Sequence, residues 1–264
     1  MIRRAALTGL SALALVSLLV ACDEEKKPVA TSPSATVTAT AAPSAPVVTA
    51  SATASAAPVK KPQVCAPGPN VTFTMPGLEA EVRKKLAKPE GAITQAELAK
   101  IKSINLTAVP VDDLDMCVFP YFKGVKDIFL GKGDLDDLSA LSSLTQLVSL
   151  RASINKVKNI EPLAHMSQMD RLDLGKTAVT DIAPLAGMTN LTELELDDTG
   201  VESVAPLAKL TKLERLSIKN TRVKDLRPLM GLKKLKSLSI GGSPVDDTHV
   251  LDGLTGGGLK IEAK

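Results

Sequence analysis

Apolar residues recur from residue 125 onward with a spacing of 22 residues that is kept five times in succession. The repeats begin at Val125, Leu147, Met169, Leu191, Leu213 and Leu235. Two further apolar residues stand at the fourth and sixth places of each repeat, as Leu194 and Leu196 do in the repeat that begins at Leu191. Alternation with a period of two predicts a short β-strand with one buried face in every repeat.

Polar residues and prolines occupy fixed columns after each predicted strand. A side-chain acceptor typical of a turn stands at the thirteenth place, in the form of Asp137, Asn159, Asp181, Ser203, Asp225 and Asp247. Proline stands three places later in four of the repeats, as Pro162, Pro184, Pro206 and Pro228. The prolines, and a return segment of only about eleven residues, favour short 3₁₀ turns over a full α-helix.

One repeat cannot bury the apolar face of its own strand, but stacked repeats can pair their strands in parallel and share one aliphatic core. We therefore predict an α/β solenoid over residues 125–247, with a curved parallel sheet inside and 3₁₀ turns outside. An imperfect copy of the strand, Ile101 to Leu106, precedes the array by 24 residues, and a degenerate copy at 248–264 ends it.

Residues 64–124 carry the pattern of a small helical cap that ends in the imperfect first repeat. Leu78, Val82 and Leu86 form one apolar stripe of a short helix. Thr94 and Glu97 have the spacing of a capping box, which predicts the start of a second helix. Such helices would cover the first apolar edge of the array.

The repeat resembles the leucine-rich repeat LxxLxLxx(N/T)xVxDIxPLxxL, in the 22-residue form of the internalins and their bacterial relatives. The resemblance spans roughly residues 70–262, and six copies keep its phase. The segment from Val71 to Thr94 is similar to the helical cap that precedes such arrays. The resemblance implies a solenoid whose concave face, formed by the strands, is the place to look for binding.

The chain begins with a segment typical of export. Arg3 and Arg4 precede an apolar run over residues 5–20, which is shorter than the roughly twenty residues that a membrane-spanning helix needs. Leu19-Val20-Ala21-Cys22 resembles the lipobox of bacterial lipoprotein signal peptides. That resemblance implies a signal peptide at 1–21 and a lipid on Cys22, while a single-pass membrane anchor stays the alternative. We expect the protein in the bacterial cell envelope, periplasmic or surface-exposed, with the leaflet left open.

Residues 22–63 consist almost entirely of Ala, Ser, Thr, Pro and Val, with no aromatic residue and no helical period. Such a composition buries too little surface to offset the entropy of ordering. We predict a disordered tether that holds the folded part away from a membrane.

The composition narrows the possible core and the possible partners. Hydrophobic residues make up 44% of the chain but aromatic residues only 2%, so the core must be aliphatic. The net charge is +3, and loss of residues 1–21 removes two arginines and no acid. A net charge so close to zero argues against nucleic acid as a partner and against a polybasic membrane contact.

With Cys22 assigned to lipid, Cys65 and Cys117 are the cysteines that remain. Two thiols in an exported protein most simply form a disulfide, and two buried free thiols are the alternative. The only two histidines, His165 and His249, have no nucleophile or carboxylate placed by spacing to work with them. We therefore expect no enzyme activity and no cofactor.

Side chains at the third, fifth and seventh places of each repeat should project from the concave face, away from the core. The candidate binding residues at these places are Asp127, Phe129, Arg151, Arg171, Asp173, Glu193, Glu195, Asp197, Arg215 and Lys219. Phe129 is the one aromatic residue among these columns, and arginine is the other residue type that interface hot spots favour.

The acidic run Glu193–Asp198 could bind calcium, but its lateral neighbours offer other partners, since residues 22 apart stand side by side. The expected lateral pairs are Glu193 with Arg171 and Arg215, Asp197 with Lys219, and Asp198 with Lys176. Only Glu195 stands beside another acid, Asp173. These charges therefore either pair with one another across the strands or form a docking patch, and a metal site is the least favoured interpretation.

These features predict a lipid-anchored, monomeric repeat protein that binds a protein or another envelope macromolecule without catalysis. A purely structural role, as a spacer or assembly element of the envelope, is the alternative.

The lipid assignment predicts that Cys22 is acylated in the cells that produce the protein. Labelled palmitate should be incorporated into the wild-type chain and not into Cys22→Ser, because the thioether bond needs the thiol. Gel fluorography after metabolic labelling measures this, and equal labelling of both chains would refute the assignment. Cys117→Ser is the matched control and should keep its label.

Overall fold

The structure, a computed structural model, describes Cys65 and residues 67–263. The predicted signal peptide, the lipidation site at Cys22 and the whole of the predicted tether lie outside these residues. Within them, no helix has both the length and the apolar character needed to cross a bilayer.

The cap begins with strand β1 (Asn70–Val71), which pairs antiparallel with β2 (Ile93–Thr94). Between them lies helix α1 (Pro76–Leu86), which starts on a proline and ends where Ala87 adopts a left-handed backbone at φ 50°. Leu78 and Val82 of α1 are fully buried, so the predicted apolar stripe faces the core.

Helix α2 (Gln95–Leu98) is a single turn that is held by the predicted capping box. Thr94 Oγ1 accepts a hydrogen bond from the Glu97 backbone N–H at 3.3 Å, and Glu97 Oε2 accepts one from the Thr94 N–H at 2.8 Å. The Thr94 N–H and the Lys88 ammonium, 2.9 Å from Oε1, lower the pKa of Glu97 to about 2. The capping-box prediction is confirmed, although the helix is shorter than a typical one.

Eight short strands form one parallel sheet in chain order. The strands are β3 (Ser103–Asn105), β4 (Asp127–Phe129), β5 (Ser149–Arg151), β6 (Arg171–Asp173), β7 (Glu193–Glu195), β8 (Arg215–Ser217), β9 (Ser237–Ser239) and β10 (Lys260–Glu262). A single turn of helix, α3 (Asp252–Thr255), precedes the last strand.

The register of the sheet follows the period of the sequence. Leu172 of β6 pairs with Leu194 of β7, and Leu194 pairs with Leu216 of β8, so partners are 22 residues apart. The flanking pairs deviate as the imperfect copies predict, with Ile104 opposite Ile128 and Ile261 opposite Leu238. Both degenerate copies therefore extend the sheet rather than end it.

The core is one continuous stack of aliphatic side chains under this sheet. Each complete repeat contributes a similar set, and in the fourth repeat the set is Leu191, Leu194, Leu196, Val201, Val204, Leu207 and Leu210. All of these residues are at most 2% exposed. This confirms the predicted solenoid, whose stability comes from contacts between neighbouring repeats.

Short 3₁₀ turns form the outer side, as predicted. The turns span Phe119–Tyr121, Ser139–Leu141, Glu161–Leu163, Ala183–Gly187, Ala205–Lys209, Arg227–Gly231 and His249–Leu251. The acceptor column caps them: Asn159 Oδ1 accepts from the Glu161 N–H at 2.9 Å, and Asp181 Oδ1 accepts from the Ala183 N–H at 2.8 Å. Each capping residue thus satisfies a backbone donor that the turn leaves free.

A column of buried hydroxyl groups closes the bend after each strand. The hydroxyl groups of Thr177 and Thr199 donate to the carbonyl oxygens of Leu174 and Leu196, at 2.7 and 2.6 Å. Asn155 fills the same column in an earlier repeat and donates from Nδ2 to three backbone carbonyls. These contacts satisfy backbone oxygens that would otherwise be buried without a partner.

Cys65 and Cys117 are joined by a disulfide, with their Cα atoms 5.3 Å apart and a sequence separation of 52 residues. The bond ties the first described residue to the cap, two residues before the turn at Phe119–Tyr121. The predicted tether would therefore join the folded part at a covalently fastened point.

The stacked core predicts that Leu194→Asp abolishes the fold of the array. The substitution removes a side chain that is 2% exposed and buries a carboxylate among aliphatic neighbours, at a cost of at least about 4 kcal/mol. Circular dichroism and urea unfolding measure the effect. Glu195→Ala, on the opposite face of the same strand, should change the free energy of unfolding by less than about 0.5 kcal/mol. A native-like spectrum from Leu194→Asp would show that the assignment of the two faces is reversed.

Candidate binding face

The concave face is built by the strand residues that flank the buried one. In β7, Leu194 points into the core, whereas Glu193 and Glu195 lie on the other side of the sheet. The same alternation in each strand brings the predicted face residues into lateral rows, because partners in neighbouring strands are in register. The structure therefore gathers the predicted residues onto one surface, with Asp127 and Phe129 half-buried at its N-terminal end.

The first residues of the strands form one lateral row, which we call the first row. Glu193 stands in this row between Arg171 and Arg215. Its Oε1 atom lies 3.7 Å from Arg171 Nε and also contacts Arg215 Nη2. The two arginine side chains are 62% and 64% exposed, so most of each guanidinium remains accessible. Exposed ion pairs of this kind add little to stability.

A second cluster links β5 and β6. Arg151 Nε lies 3.2 Å from Asp173 Oδ2, and the Ser153 hydroxyl donates to the same oxygen at 2.8 Å. The other oxygen, Asp173 Oδ1, accepts the Gly175 N–H at 3.0 Å. Asp173 is therefore fixed in orientation, while Arg151 remains about half exposed.

The acids at the end of the acidic run do not form the predicted ion pairs. Asp197 Oδ1 accepts the Ser217 hydroxyl at 2.6 Å and the Lys219 backbone N–H at 2.7 Å, so Lys219 contacts it through the main chain and not through its ammonium. Asp198 Oδ1 accepts from Asn220 Nδ2 at 2.8 Å, in place of the predicted lysine. Short side chains and main-chain donors lie closer to these carboxylates than a flexible ammonium does.

Glu195 is the acid whose charge is least compensated. Its carboxylate has no hydrogen bond or ion pair to any described residue, and it lies on the exposed surface beside Asp173 and Asp197. Partial desolvation and the two neighbouring carboxylates raise the pKa of Glu195, against the opposing effects of Arg151 and Lys219. The 22-residue spacing of the sequence predicts that Glu195 lies beside Asp173.

The face has room for a partner's side chains. Serines at the C-terminal end, Ser217, Ser237 and Ser239, are smaller than the charged residues beside them. With the arginines and glutamates they line a depression of about 320 Å³ that extends from β4 to β9. Within residues 65–263 no group of three or more His, Cys, Asp or Glu side chains is placed to hold a metal ion. His165 is exposed on the outer side, and His249 Nδ1 lies 3.4 Å from Asp252 Oδ2.

The architecture is similar to that of known bacterial repeat proteins. Internalin inlF from Listeria monocytogenes superposes with a TM-score of 0.67 at 27% identity, over 72% of this chain and 56% of inlF. Internalin C2 from the same species superposes with a TM-score of 0.65 at 29% identity, over 72% of this chain and 93% of the internalin. A leucine-rich repeat protein from Leptospira interrogans superposes with a TM-score of 0.57 at 17% identity, over 63% of this chain and 44% of that protein, and supports the fold alone.

The chain has an internalin-type leucine-rich repeat fold. No protein-family model matches the sequence, and no curated protein matches it. The sequence repeats and the structural superposition both support this architecture, and neither identifies a binding partner.

A left-handed backbone column borders the face of the leucine-rich repeats, and sequence reasoning missed it. The residue before the buried hydroxyl column has a positive φ in five repeats, at Ile154, Lys176, Asp198, Asn220 and Gly242. Glycine and asparagine tolerate this conformation, so the last three residue types could have indicated it. Ile154 does not fit, because a β-branched side chain is strained at φ 58°.

Ile154 also lies unusually exposed for an isoleucine, at 45% of its surface. It lines a shallow depression at the edge of the face together with Arg151, Asp173 and Glu195. An apolar side chain among these charges provides the kind of contact that a partner can bury.

The strain at Ile154 predicts that Ile154→Asn stabilises the array by about 1 kcal/mol, because asparagine adopts the left-handed backbone more readily. Urea unfolding of the two chains measures the difference. Asn220→Ile is the reciprocal variant in the same column and should destabilise the array by a similar amount or more. A loss of stability in Ile154→Asn would mean that packing of the isoleucine outweighs its backbone strain.

Proposed function

We propose that this chain is a lipid-anchored, non-catalytic binding protein of the bacterial cell envelope, which recognises a protein partner with its concave face. The observation that carries the proposal is that three arginines, Arg151, Arg171 and Arg215, are each at least half exposed and line one depression of the concave face together with Glu195. Arginine is enriched at interface hot spots, where its planar head group can bond and stack at once. The internalin-like architecture supports a protein as the partner.

The charge pattern of the face favours a protein over a polyanion. Acidic and basic side chains alternate along the first row, as Arg171, Glu193 and Arg215 do. A uniformly anionic polymer would face the glutamates as well as the arginines and would gain little. A protein surface can present both signs at matched positions, which gives specificity and register more than bulk affinity.

The envelope location rests on the amino-terminal segment and not on the fold. The lipobox at residues 19–22 supports a lipid on Cys22, and the low-complexity segment that follows supports a tether. An acylated cysteine followed by a tether would let the solenoid search a volume next to the membrane. The leaflet and the compartment are part of the same proposal.

A structural spacer role is the second candidate, and the saturated ion pairs of Glu193 favour it. A face whose charges satisfy one another needs no partner. Under this alternative the length of the tether, and not the chemistry of the face, would determine the phenotype.

The binding proposal predicts that Arg171→Ala combined with Arg215→Ala weakens capture of the partner by at least about tenfold, because two exposed hot-spot side chains are removed. The measurement is quantitative crosslinking and pull-down from the native cells, with the wild-type chain as the reference. Arg222→Ala combined with Arg227→Ala is the matched control, since both arginines are exposed and ion-paired away from the face.

The spacer alternative makes the opposite prediction. Deletion of residues 30–60 would then impair function in the cells, while the double substitution on the face would change nothing. That combination of results would overturn the binding proposal.

A further inference from the structure

One lateral edge of the solenoid, where the strands begin, carries a strong and uneven charge. The backbone just before each strand forms a ladder along this edge, in which the Val148 N–H donates to the Lys126 carbonyl at 2.8 Å and the Lys236 N–H donates to the Glu214 carbonyl at 2.8 Å. We define the lysine edge by the exposed lysines on this ladder and in the segment that leads into it. They are Lys100, Lys102, Lys123, Lys126, Lys212, Lys233, Lys234 and Lys236.

Acidic residues on the same edge are few and already engaged. Asp170 and Glu214 are the acids that the described chain places there, and both are half-buried. Asp170 Oδ1 accepts the Thr192 hydroxyl at 2.6 Å, and Glu214 Oε2 lies 2.6 Å from Lys236 Nζ. Among the described residues, five of the eight lysines make no hydrogen bond or ion pair through their ammonium groups; the three that do are Lys126, Lys212 and Lys236.

The near-zero net charge of the chain conceals this edge. The total charge of the sequence predicts no polybasic membrane contact, because the chain has 32 basic and 29 acidic residues. The fold leaves the lysine edge with few acids, since much of the acid lies on the concave face and on the opposite edge, where the strands end and where lysines stand among the acids. Asp134, Asp181 and Glu202 are exposed examples of the latter. A surface potential depends on this placement and not on the total.

The side chains of the lysine edge fit a diffuse anionic surface better than a structured ligand. Among the described residues, the ladder and the segments that lead into it carry no arginine, which would give bidentate phosphate recognition, and no exposed aromatic residue, which would stack on a nucleobase. The guanidinium of Arg171, on the concave face, reaches Asp170 of the edge at 3.5 Å. Lysine ammonium groups act as hydrated point charges and suit a plane of lipid head groups. Next to Lys233, the side chain of Met230 is 52% exposed and lines an apolar groove with Val250 and Leu254.

We propose that the lysine edge rests on a bilayer surface rich in anionic phospholipids, with Met230 at the level of the head groups. The lysines at 100–126 lie toward the N-terminal end of the array and those at 212–236 toward its C-terminal end. Contact at both ends would hold the solenoid along its edge. The concave face would then stand out from the membrane plane and stay open to a partner. This contact is independent of the concave-face binding proposed above.

Lysine footprinting on vesicles tests the proposal with the full chain. The chain is reconstituted into vesicles of phosphatidylcholine alone or of phosphatidylcholine with one quarter phosphatidylglycerol, and lysines are acetylated with a neutral reagent. The acetylation rate of each lysine is measured by mass spectrometry. We expect the lysine edge to react about threefold more slowly on the anionic vesicles, and molar salt to remove the difference.

The chain supplies its own control in the same experiment. Lys132, Lys156, Lys158 and Lys224 are exposed near the opposite edge and should react equally on both kinds of vesicle. Equal rates at the lysine edge on both vesicles would overturn the proposal. Protection of the lysine edge by soluble duplex DNA but not by vesicles would also overturn it, in favour of a nucleic-acid surface.

Discussion

The structure depends on the burial of one repeat's aliphatic side chains against those of the next. A three-residue strand such as Glu193–Glu195 has no stability of its own, and Leu194 becomes buried only because Leu172 and Leu216 lie on either side of it. The constant 22-residue period follows from this requirement. A repeat that is one residue longer or shorter would shift the register and turn the buried side chain to the surface. Gaps in the period occur only at the two ends, where a neighbour is missing.

Much of the fold could be predicted because the buried residues recur in the sequence with a regular period of 22 residues. Periodic leucines determine which residues pair in neighbouring strands, and the acceptor column determines where the 3₁₀ turns begin. The same register predicts from the sequence alone that Glu193 stands between its two arginines. Once the period is known, the residues that lie side by side in neighbouring strands are those 22 positions apart.

Other features were not predictable in the same way, because they depend on distances within a repeat. Asp197 bonds to the hydroxyl of Ser217 and to a main-chain N–H, where simple adjacency predicted a lysine ammonium. The strained backbone of Ile154 arises from the bend after the strand, which imposes a left-handed conformation on five residues of that column. The lysine edge was missed because its members come from separate segments that only the fold brings into line.

We propose that the solenoid presents its concave face to a protein partner. A photo-crosslinking residue placed at Ser237 on that face, or at Ser142 on the outer side, tests it in the native cells. We expect irradiation to join a defined protein to the chain from position 237, and we expect no such adduct from position 142. Equal crosslinking from both positions, or none from position 237 and neighbouring face positions, would contradict it.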